Sequence, residues 1–422
     1  MAGASAHKHK KGQVAVLDIG SHKLACFIAE QDENERYHIK GIGHQLAKGF
    51  RAGMITDAKE AETSVRCTVH AAEEMADETI ENVVVSMSGT HIKSHLVSVE
   101  MAISGDGVSE RDVSDVLHEG CQLVQDKDRA LIHCFASEYQ LDGSRGIKDP
   151  LTMYGSQLGA DLHIITADAI RQKNLLGCMS RCHLNIEEYV SSSHVAALGC
   201  LEPDEMELGV TLIDMGAGQT SVSVFSGGKN IYSFSIPIGG QHVTKDIATG
   251  LSTSIANAER LKNLHGSAID APQDAQAMID IPQLGEEDDI SEGSLVPRSM
   301  LIGVIRPRLE EVFEMVREKL EASGVNAMSG RNVVLTGGAS QLIGMRDLTA
   351  RMLGGKQVRL GKPHYIPGLA DSVTGPAFSS VVGMLKYLEN RPAEDALFHA
   401  RKSNKSFAGS GTRLWQWVKT NF

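Results

Sequence analysis

The sequence predicts an α/β protein built from two related halves, with a small α+β subdomain inserted into the first half. The segment VAVLDIG at Val14–Gly20 recurs as VTLIDMG at Val210–Gly216, an offset of 196 residues. Each copy is an apolar run followed by a glycine turn and a second β-type run, which is typical of a strand–turn–strand hairpin. Such self-similarity indicates a duplicated structural unit.

Composition excludes several classes of protein. Of the 422 residues, 42% are hydrophobic and 22% are charged, as in soluble globular proteins. No uninterrupted apolar run approaches the roughly 18 residues of a membrane span. The net charge is −12, although the segment from Ala396 onward has basic residues and no acidic ones. The acidic body argues against nucleic-acid binding, which depends on neutralising phosphates.

The N-terminal residues and the cysteines indicate the cellular compartment of the protein. The polar, Lys- and His-rich residues 1–12 do not resemble a secretory signal, and we expect a disordered basic tail there. Seven irregularly spaced cysteines do not form a disulfide framework, so reduced thiols in the cytoplasm are the expectation. The run from Cys178 to His183 has helical spacing without a second ligand pair, which favours a structural helix over a zinc site.

Helical and strand patterns follow the two hairpins along the chain. In the first half we predict the helix Lys59–Glu78, the strand Asn82–Met87, and four elements of the inserted subdomain, His95–Ile103, Ser109–Val124, Ala130–Tyr139 and Ala160–Ala167. In the second half we predict the helices Ser254–His265, Ser299–Leu320 and Ser379–Leu388, and the strand Asn332–Thr336 running through a Gly-Gly turn into a helix. Pro307 should kink the long helix or mark its start.

These patterns imply domain boundaries. We expect a first-half core at 13–87 and 167–207, joined by a helix at 372–390, with the inserted subdomain at 88–166. The second-half core is expected at 208–243 and 300–371, with its own small subdomain at 244–299. A Gly/Ser-rich basic linker at 391–411 leads to a terminal helix at 412–422.

Three glycine turns, at Gly20, Gly216–Gly218 and Gly337-Gly338, each follow an apolar strand. Successive backbone N–H groups in such turns can hold phosphate oxygens. Asp18 and Asp214 end the first strands of the two hairpins and suit a magnesium-bound water, because Mg²⁺ prefers carboxylates and retained waters. The P-loop and dinucleotide-binding patterns are both absent. One such turn alone would indicate a plain hairpin, but the duplication and the third turn favour a phosphate site.

As a set, these motifs resemble the superfamily of actin, sugar kinases and heat-shock chaperone ATPases, and within it the bacterial cell-division FtsA family. The matching segments are Leu17–Lys23, Glu207–Gly228, Ala258–Gly266, Val333–Met345 and the Trp-bearing terminal segment. The resemblance spans about residues 13–390 and implies an actin-like ATPase fold around a nucleotide cleft that binds ATP and Mg²⁺. It assigns to ATP the residues Asp18, Gly20, Ser21, Lys23, Asp214, Gly216, Ala217, Gly218, Gln219, Glu259, Lys262, Gly337 and Gly338.

The glycine turn at Gly216–Gly218 differs from the sequence that is usual in these families. Ala217 stands at a usual glycine, and Gln219 replaces a hydroxyl side chain that would bond phosphate. Ser221 occupies a position where relatives often carry Asp or an imidazole, and a serine needs another group to activate it as a base. We therefore expect an ATP-binding scaffold with at most slow hydrolysis. From the residues alone, Glu259 and Lys262 could equally be a solvated i, i+3 ion pair.

The last eleven residues predict an amphipathic membrane helix. Leu414, Val418 and Phe422 form an apolar stripe, flanked by Trp415 and Trp417, with basic residues at its rim. This pattern is typical of helices that lie in the interface of an anionic membrane. The rim residues are Arg413 and Lys419. The alternative is a terminal helix that docks on the body.

The resemblance implies a peripheral protein on the cytoplasmic face of the cell membrane at the division site. It would bind the C-terminal peptide of FtsZ, tether the FtsZ ring to the membrane, assemble with itself through the inserted subdomain and recruit later division proteins. Two alternatives share the same core. One is an actin-like protein of type IV pilus assembly, and the other is a small-molecule kinase.

Overall fold

The computed structural model describes residues 12–105, 107–282, 294–325 and 327–391. The strands there are β1 Gln13–Ile19, β2 Lys23–Gln31, β3 Tyr37–Leu46, β4 Phe50–Arg51, β5 Met54–Ile55, β6 Asn82–Met87, β7 Lys93–Ala102, β8 Arg129–Leu141, β9 Ser144–Ile147, β10 Gln157–Asp168, β11 Asn185–Ser191, β12 Val210–Met215, β13 Thr220–Ser226, β14 Lys229–Ile236, β15 Met278–Ile281, β16 Ser294–Pro297, β17 Asn332–Thr336 and β18 Gln357–Leu360. The helices are α1 Ala58–Ala76, α2 Glu110–Leu123, α3 Ala169–Arg181, α4 Ser192–Cys200, α5 Pro203–Leu208, α6 Gly240–Gly250, α7 Ile255–His265, α8 Arg298–Ala322, α9 Met345–Met352 and α10 Ser379–Glu389.

Two five-stranded sheets with equivalent strand order form the centre of the protein. The first has the order β11-β6-β1-β2-β3 and the second β14-β13-β12-β17-β18. In the first sheet, β1, β2 and β3 are antiparallel neighbours, and β6 and β11 continue the sheet in parallel on the other side of β1. The second sheet repeats these directions, with β12 in the place of β1 and β17 in the place of β6. The predicted duplication is confirmed.

The inserted subdomain has a sheet and a core of its own. Its antiparallel strands lie in the order β7-β10-β8-β9 and occupy the chain between β6 and α3. Helix α2 begins at a capping box in which the Ser109 side chain and the Asp112 side chain each bond the other residue's backbone N–H. Val113, Val116 and Leu117 of this helix pack on the sheet. The result is the small α+β unit that the sequence predicts.

Helices α4 and α10 join the two halves. Helix α10 packs on strands β1, β2 and β6 of the first sheet, while α4 packs on strands of the second sheet, and the two helices contact each other. On the outer side of the second half, α6, α7, α8 and the β15–β16 hairpin share one apolar core with the second sheet.

The structure corrects two local predictions. Pro307 lies inside α8, which begins at Arg298, so the expectation that it marks a helix start is wrong. The helix continues because one face, including Leu301, Ile305 and Leu309, is buried in the second-half core. After β17 the chain forms a 3₁₀ turn at Gly338–Gln341, and α9 begins only at Met345.

Candidate functional site

A cleft of about 550 Å³ lies between the two halves. Its volume is within the range of small-molecule and cofactor sites. All of the residues predicted for ATP line it, although they come from both hairpin turns, from α7 and from the turn after β17. The structure therefore brings together groups that are more than 300 residues apart in sequence.

The two hairpin turns have the same backbone geometry. The Gly20 N–H donates to the Lys23 carbonyl at 3.0 Å, and the Gly216 N–H donates to the Gln219 carbonyl at 3.0 Å. The two turns also approach each other closely, because a Cβ added to Gly218 would lie 2.6 Å from the Ser21 hydroxyl oxygen. A side chain at Gly218 would separate the loops, so this glycine is required by the contact across the cleft.

The charged centre of the cleft is the group of Asp18, Asp214 and Lys23. Burial raises the pKa of Asp214 to about 7, and the neighbouring Asp18 adds to this effect while Lys23 opposes it. Burial also raises the pKa of Asp18, against the hydrogen bond from Ser86 and the charge of Lys23. Burial lowers the pKa of Lys23 to about 8, although both carboxylates oppose this change. Two carboxyl groups with one cation leave this centre short of positive charge.

Ser86 is a site residue that sequence reasoning missed. Its hydroxyl donates to Asp18 Oδ1 at 2.7 Å and accepts from the Ile19 N–H at 3.0 Å. It stands near the end of β6, the parallel neighbour of β1. The available signal was a polar residue at the carboxyl end of a predicted parallel strand.

Lys23 is held by a segment that sequence reasoning also missed. Its ammonium donates to the Ala377 carbonyl at 2.5 Å and lies 3.1 Å from the centre of the Phe378 ring. These residues immediately precede α10, so the first hairpin contacts the helix that joins the halves.

Gln219 leaves a polar atom without a partner in the cleft. The side chain is 7% exposed, and its Oε1 has no hydrogen-bond partner among the described residues. Its amide nitrogen lies 3.5 Å from the Ser221 hydroxyl, which in turn lies 2.9 Å from the Ser235 hydroxyl. A buried acceptor without a partner is costly unless a bound molecule or water satisfies it.

Glu259 and Lys262 form an ion pair in the wall of the cleft. The Lys262 ammonium bonds Glu259 Oε2 at 2.7 Å, the Thr244 hydroxyl at 2.9 Å and the Gly240 carbonyl at 3.2 Å. The Lys262 side chain is only 14% exposed, so the two residues do not form the solvated i, i+3 ion pair that the sequence alone also allowed. The pair connects α7 to the start of α6.

The two glycines after β17 have different environments. Gly337 has φ +82°, and a Cβ there would lie 2.3 Å from Asp214 Oδ1 and 2.6 Å from the Met215 carbonyl oxygen. A Cβ at Gly338 would meet only the Ala377 Cβ, at 3.8 Å. Gly337 therefore holds the third turn against Asp214, whereas the protein leaves room for a Cβ at Gly338.

The donor set of the cleft fits a nucleotide and a magnesium ion. Glycine turns from both halves supply backbone N–H groups, Lys23 supplies a cation, and Gln219 Oε1 is an acceptor without a partner. Asp18 and Asp214 suit Mg²⁺ that keeps its own waters. Among the described residues, no cluster of three or more His, Cys, Asp or Glu side chains suits a metal ion bound by protein ligands alone.

The predicted membrane residues, Leu414, Trp415, Trp417, Val418, Phe422, Arg413 and Lys419, lie outside the described residues, as does nearly all of the predicted linker. In the parts of the chain that are described, no helix combines the length and the apolar character needed to cross a bilayer.

The equivalent halves, each with a glycine hairpin and an aspartate that lines one cleft, define an actin-like ATPase fold. Solved structures with this architecture include the PilM–PilN type IV pilus biogenesis complex, with a TM-score of 0.63 and 16% identity over 91% of this chain and 100% of that chain. MreB 5 of Spiroplasma citri bound to AMPPNP has a TM-score of 0.54 and 13% identity over 94% of this chain and 99% of that chain. At these identities the likeness shows the fold alone.

Sequence comparison identifies the family. The profile described as "Cell division protein FtsA" matches residues 211–383, and that described as "SHS2 domain inserted in FTSA" matches residues 89–166. The cell division protein FtsA of Agrobacterium fabrum is 40% identical over 97% of this chain and 95% of its own length. That of Escherichia coli K12 is 30% identical over 97% of this chain and 98% of its own length. The chain belongs to the FtsA family of cell division proteins, and the resemblance seen in its motifs is confirmed.

Proposed function

We propose that this chain is an ATP-dependent scaffold that tethers the FtsZ ring to the cytoplasmic face of the membrane at the division site. The observation that carries the proposal is the cleft in which Asp18 and Asp214 face each other between glycine turns, in a chain of the FtsA family. The FtsA relatives match nearly the whole chain in sequence, whereas the PilM–PilN structure resembles it in fold alone. We therefore favour a role in cell division over pilus assembly or small-molecule phosphorylation.

In this proposal the cleft binds ATP with magnesium. The turns around Gly20 and Gly216–Gly218 hold the phosphates, and Lys23 contributes a positive charge beside them. Glu259 and Lys262 line the base and ribose end, and Gly337 and Gly338 form the turn against the adenosine. Bound Mg²⁺ would supply positive charge that neutralises phosphate and carboxylate oxygens. Asp18 and Asp214 would orient its waters.

Hydrolysis in this cleft is expected to be slow. Ser221 is 3% exposed and its hydroxyl is bonded to Ser235, so neither residue supplies a base. A turnover well below the roughly 10 s⁻¹ that is typical of enzymes suits a nucleotide that controls assembly. Rapid phosphate transfer to small alcohols or acids by the purified chain would instead support the kinase alternative.

The partners of the scaffold follow from the family. We propose that the small second-half subdomain at 244–299 binds the FtsZ C-terminal peptide, that the inserted subdomain at 88–166 mediates self-assembly, and that the chain recruits later division proteins. The terminal helix at 412–422 would attach the chain to anionic lipid. One such helix binds weakly, so attachment should strengthen when filaments present many copies.

The nucleotide part of the proposal is tested by titrating ATP with and without Mg²⁺. We expect Asp214→Asn to weaken magnesium-dependent affinity by about 10- to 100-fold, the range typical of groups that orient metal-bound waters. The control is Asp246→Asn, which lies in α6 outside the cleft lining and pairs with Arg308 of α8, and which should bind as the parent does. If Asp214→Asn responds to magnesium as the parent does, Asp214 is only a turn residue.

The tether is tested with vesicles that contain an anionic phospholipid. Intact chain should float with the vesicles and bring FtsZ filaments with it, whereas Trp417→Glu or deletion of 412–422 should leave both in solution with ATP affinity unchanged. Higher salt should weaken attachment without abolishing it, because the apolar part remains. Flotation of Trp417→Glu at the parent's level would show that the tryptophans dock on protein.

A further inference from the structure

A second cavity, of about 240 Å³, lies in the first half beside the nucleotide cleft. Its walls are the helix α3, the β4–β5 hairpin and the carboxyl ends of β1 and β6, and we call it the side cavity. Ile19 and Ser88 line both the side cavity and the nucleotide cleft. None of the residues assigned to ATP lines the side cavity, so it is a separate space that shares one wall with the cleft.

The hairpin wall of the side cavity is fixed by a close backbone contact. Gly53, between β4 and β5, has φ +74°, and a Cβ there would lie 1.8 Å from the Ser88 carbonyl oxygen. Glycine permits both this backbone angle and this approach. Phe50 and Ile55 line the cavity from the hairpin, and Leu175 lines it from α3. These side chains form an apolar lining that suits the apolar body of a ligand.

Helix α3 presents a cation to the same cavity. Arg171, Asn174 and Leu175 all line it, and their spacing of three and four residues places them on one face of the helix. The half-buried Arg171 guanidinium donates to His91 Nδ1 at 2.9 Å. No carboxylate among the described residues forms an ion pair with Arg171. A guanidinium has five N–H donors, so most of them remain available to a ligand.

The groups around Arg171 do not neutralise its charge. Burial lowers the pKa of His91 to about 4, and the charge of Arg171 acts in the same direction, so this imidazole is neutral near pH 7. Asp168 caps α3, and its carboxylate accepts from the backbone N–H groups of Ile170 and Arg171. A cation without an ion-pair partner beside an apolar lining favours an anionic ligand. Because Asp168 lies close by, a singly charged anion suits the site better than a doubly charged one.

We propose that the side cavity binds a small organic monocarboxylate, whose carboxylate bonds Arg171 and Asn174 and whose apolar body lies between the hairpin and Leu175. Guanidinium and carboxylate match each other as two planar groups that form paired hydrogen bonds. The cavity is smaller than the roughly 300–1,000 Å³ of sites for drug-sized ligands, so the ligand is about the size of one substituted ring. This inference goes beyond the proposed function and does not rest on it.

Benzoate is the probe, added to the full chain labelled with ¹³C at the methionine methyl groups. Met54 and Met87 line the side cavity, whereas Met345 lines the nucleotide cleft. We expect benzoate to shift the signals of Met54 and Met87 saturably and to leave that of Met345 unchanged. Benzamide and benzamidine carry a neutral and a positive group on the same ring. Benzamide should bind at least about 10-fold more weakly, since it lacks the charge that strengthens the hydrogen bond, and benzamidine should not bind.

Substitutions in α3 test the assigned cation. Arg171→Gln should weaken benzoate binding by about 10- to 100-fold, the range expected for a hydrogen bond between charged groups. Arg171→Lys should retain part of the affinity because the charge remains. The control is Lys173→Gln, which removes an exposed cation of the same helix outside the cavity lining and should bind as the parent does. Thermal unfolding establishes that each variant is folded.

Three results would overturn the proposal. The first is the absence of saturable shifts at Met54 and Met87 with benzoate up to about 10 mM, a concentration that exceeds the dissociation constant of a site with millimolar affinity. The second is binding of benzamide or benzamidine as tightly as benzoate. The third is an Arg171→Gln variant with the parent's affinity. The comparison of the three probes uses the parent chain, so it decides the question even if Arg171→Gln fails to fold. No readout depends on ATP or FtsZ.

Discussion

The two hairpins of the cleft have the same backbone but different chemistry around their aspartates. Lys23 in the first turn corresponds to Gln219 in the second, so one loop has a cation where the other has an amide. Ser86 donates to Asp18, whereas Thr336, which is paired with Asp214 in the second sheet, bonds Ser379 instead. The duplicated unit therefore preserves the turn and the carboxylate, while their neighbours have diverged.

This difference assigns the two carboxyl groups different states. Asp18 has a hydroxyl donor that favours its ionised form, while Asp214 has burial and a like charge acting against ionisation and only the charge of Lys23 in its favour. We therefore expect Asp214 to be the carboxyl group that takes up a proton near neutral pH when no cation is bound. Binding of a divalent cation should release that proton.

The largest expected effect is on stability without nucleotide. Asp214 has its pKa raised from 3.8 to about 7, so between these values the folded protein binds a proton that the unfolded chain has released. The free energy of unfolding should therefore fall as pH rises through this window. Asp214→Asn should remove this loss and stabilise the protein above pH 7 by up to about 4 kcal/mol, because each tenfold change in proton affinity corresponds to about 1.4 kcal/mol.

Urea denaturation at about pH 5 and about pH 8 tests this prediction, because the gain from Asp214→Asn should shrink at the lower pH. Asp18→Asn is the matched control and should stabilise less, since it weakens an existing bond with Ser86. Equal gains from both variants at both pH values would show that the two halves are electrostatically equivalent.

The next largest effect is expected from substitutions at Lys23, the cation of the first turn, and at Gln219, the amide at the same position of the second turn. Lys23→Gln should weaken ATP binding by about 10- to 100-fold, as expected for one charge-assisted hydrogen bond, and should raise the pKa of Asp214 further. Gln219→Lys should lower that pKa by adding a cation on the other side. ATP titration and the pH dependence of unfolding measure the two effects. A Lys23→Gln variant with the parent's ATP affinity would place Lys23 outside the phosphate site.

The smallest expected effect concerns the turns themselves. A Cβ at Gly20 would lie 2.7 Å from the Lys23 carbonyl oxygen, and one at Gly216 would lie 3.1 Å from the Gln219 carbonyl oxygen. Gly20→Ala should therefore cost about 1 kcal/mol of stability, at the lower end of what overpacking typically costs, and Gly216→Ala less. Thermal unfolding of the two variants gives the order. The reverse order would mean that the second turn is the more rigid one.

Much of the site was predictable because its residues follow local patterns. The hairpin turns lie directly after apolar strands, and β6 and β17 have the bounds that their sequence predicts. Strands β3 and β14 were missed, since each extends its sheet only as the third strand after a predicted hairpin. Ala377 was missed because its contact with Lys23 joins residues 354 positions apart.

The sequence by itself determined the duplicated hairpins, the inserted subdomain, the glycine turns and the two aspartates, because strand periodicity and turn chemistry depend on neighbouring residues. Only the tertiary structure decided that Ser86 donates to Asp18, that Gly337 rather than Gly338 requires glycine, and that burial raises the pKa of Asp214. These properties depend on burial, on parallel strand pairing and on charges from distant segments. A pKa is set by the surroundings of a group, and folding assembles those surroundings from the whole chain.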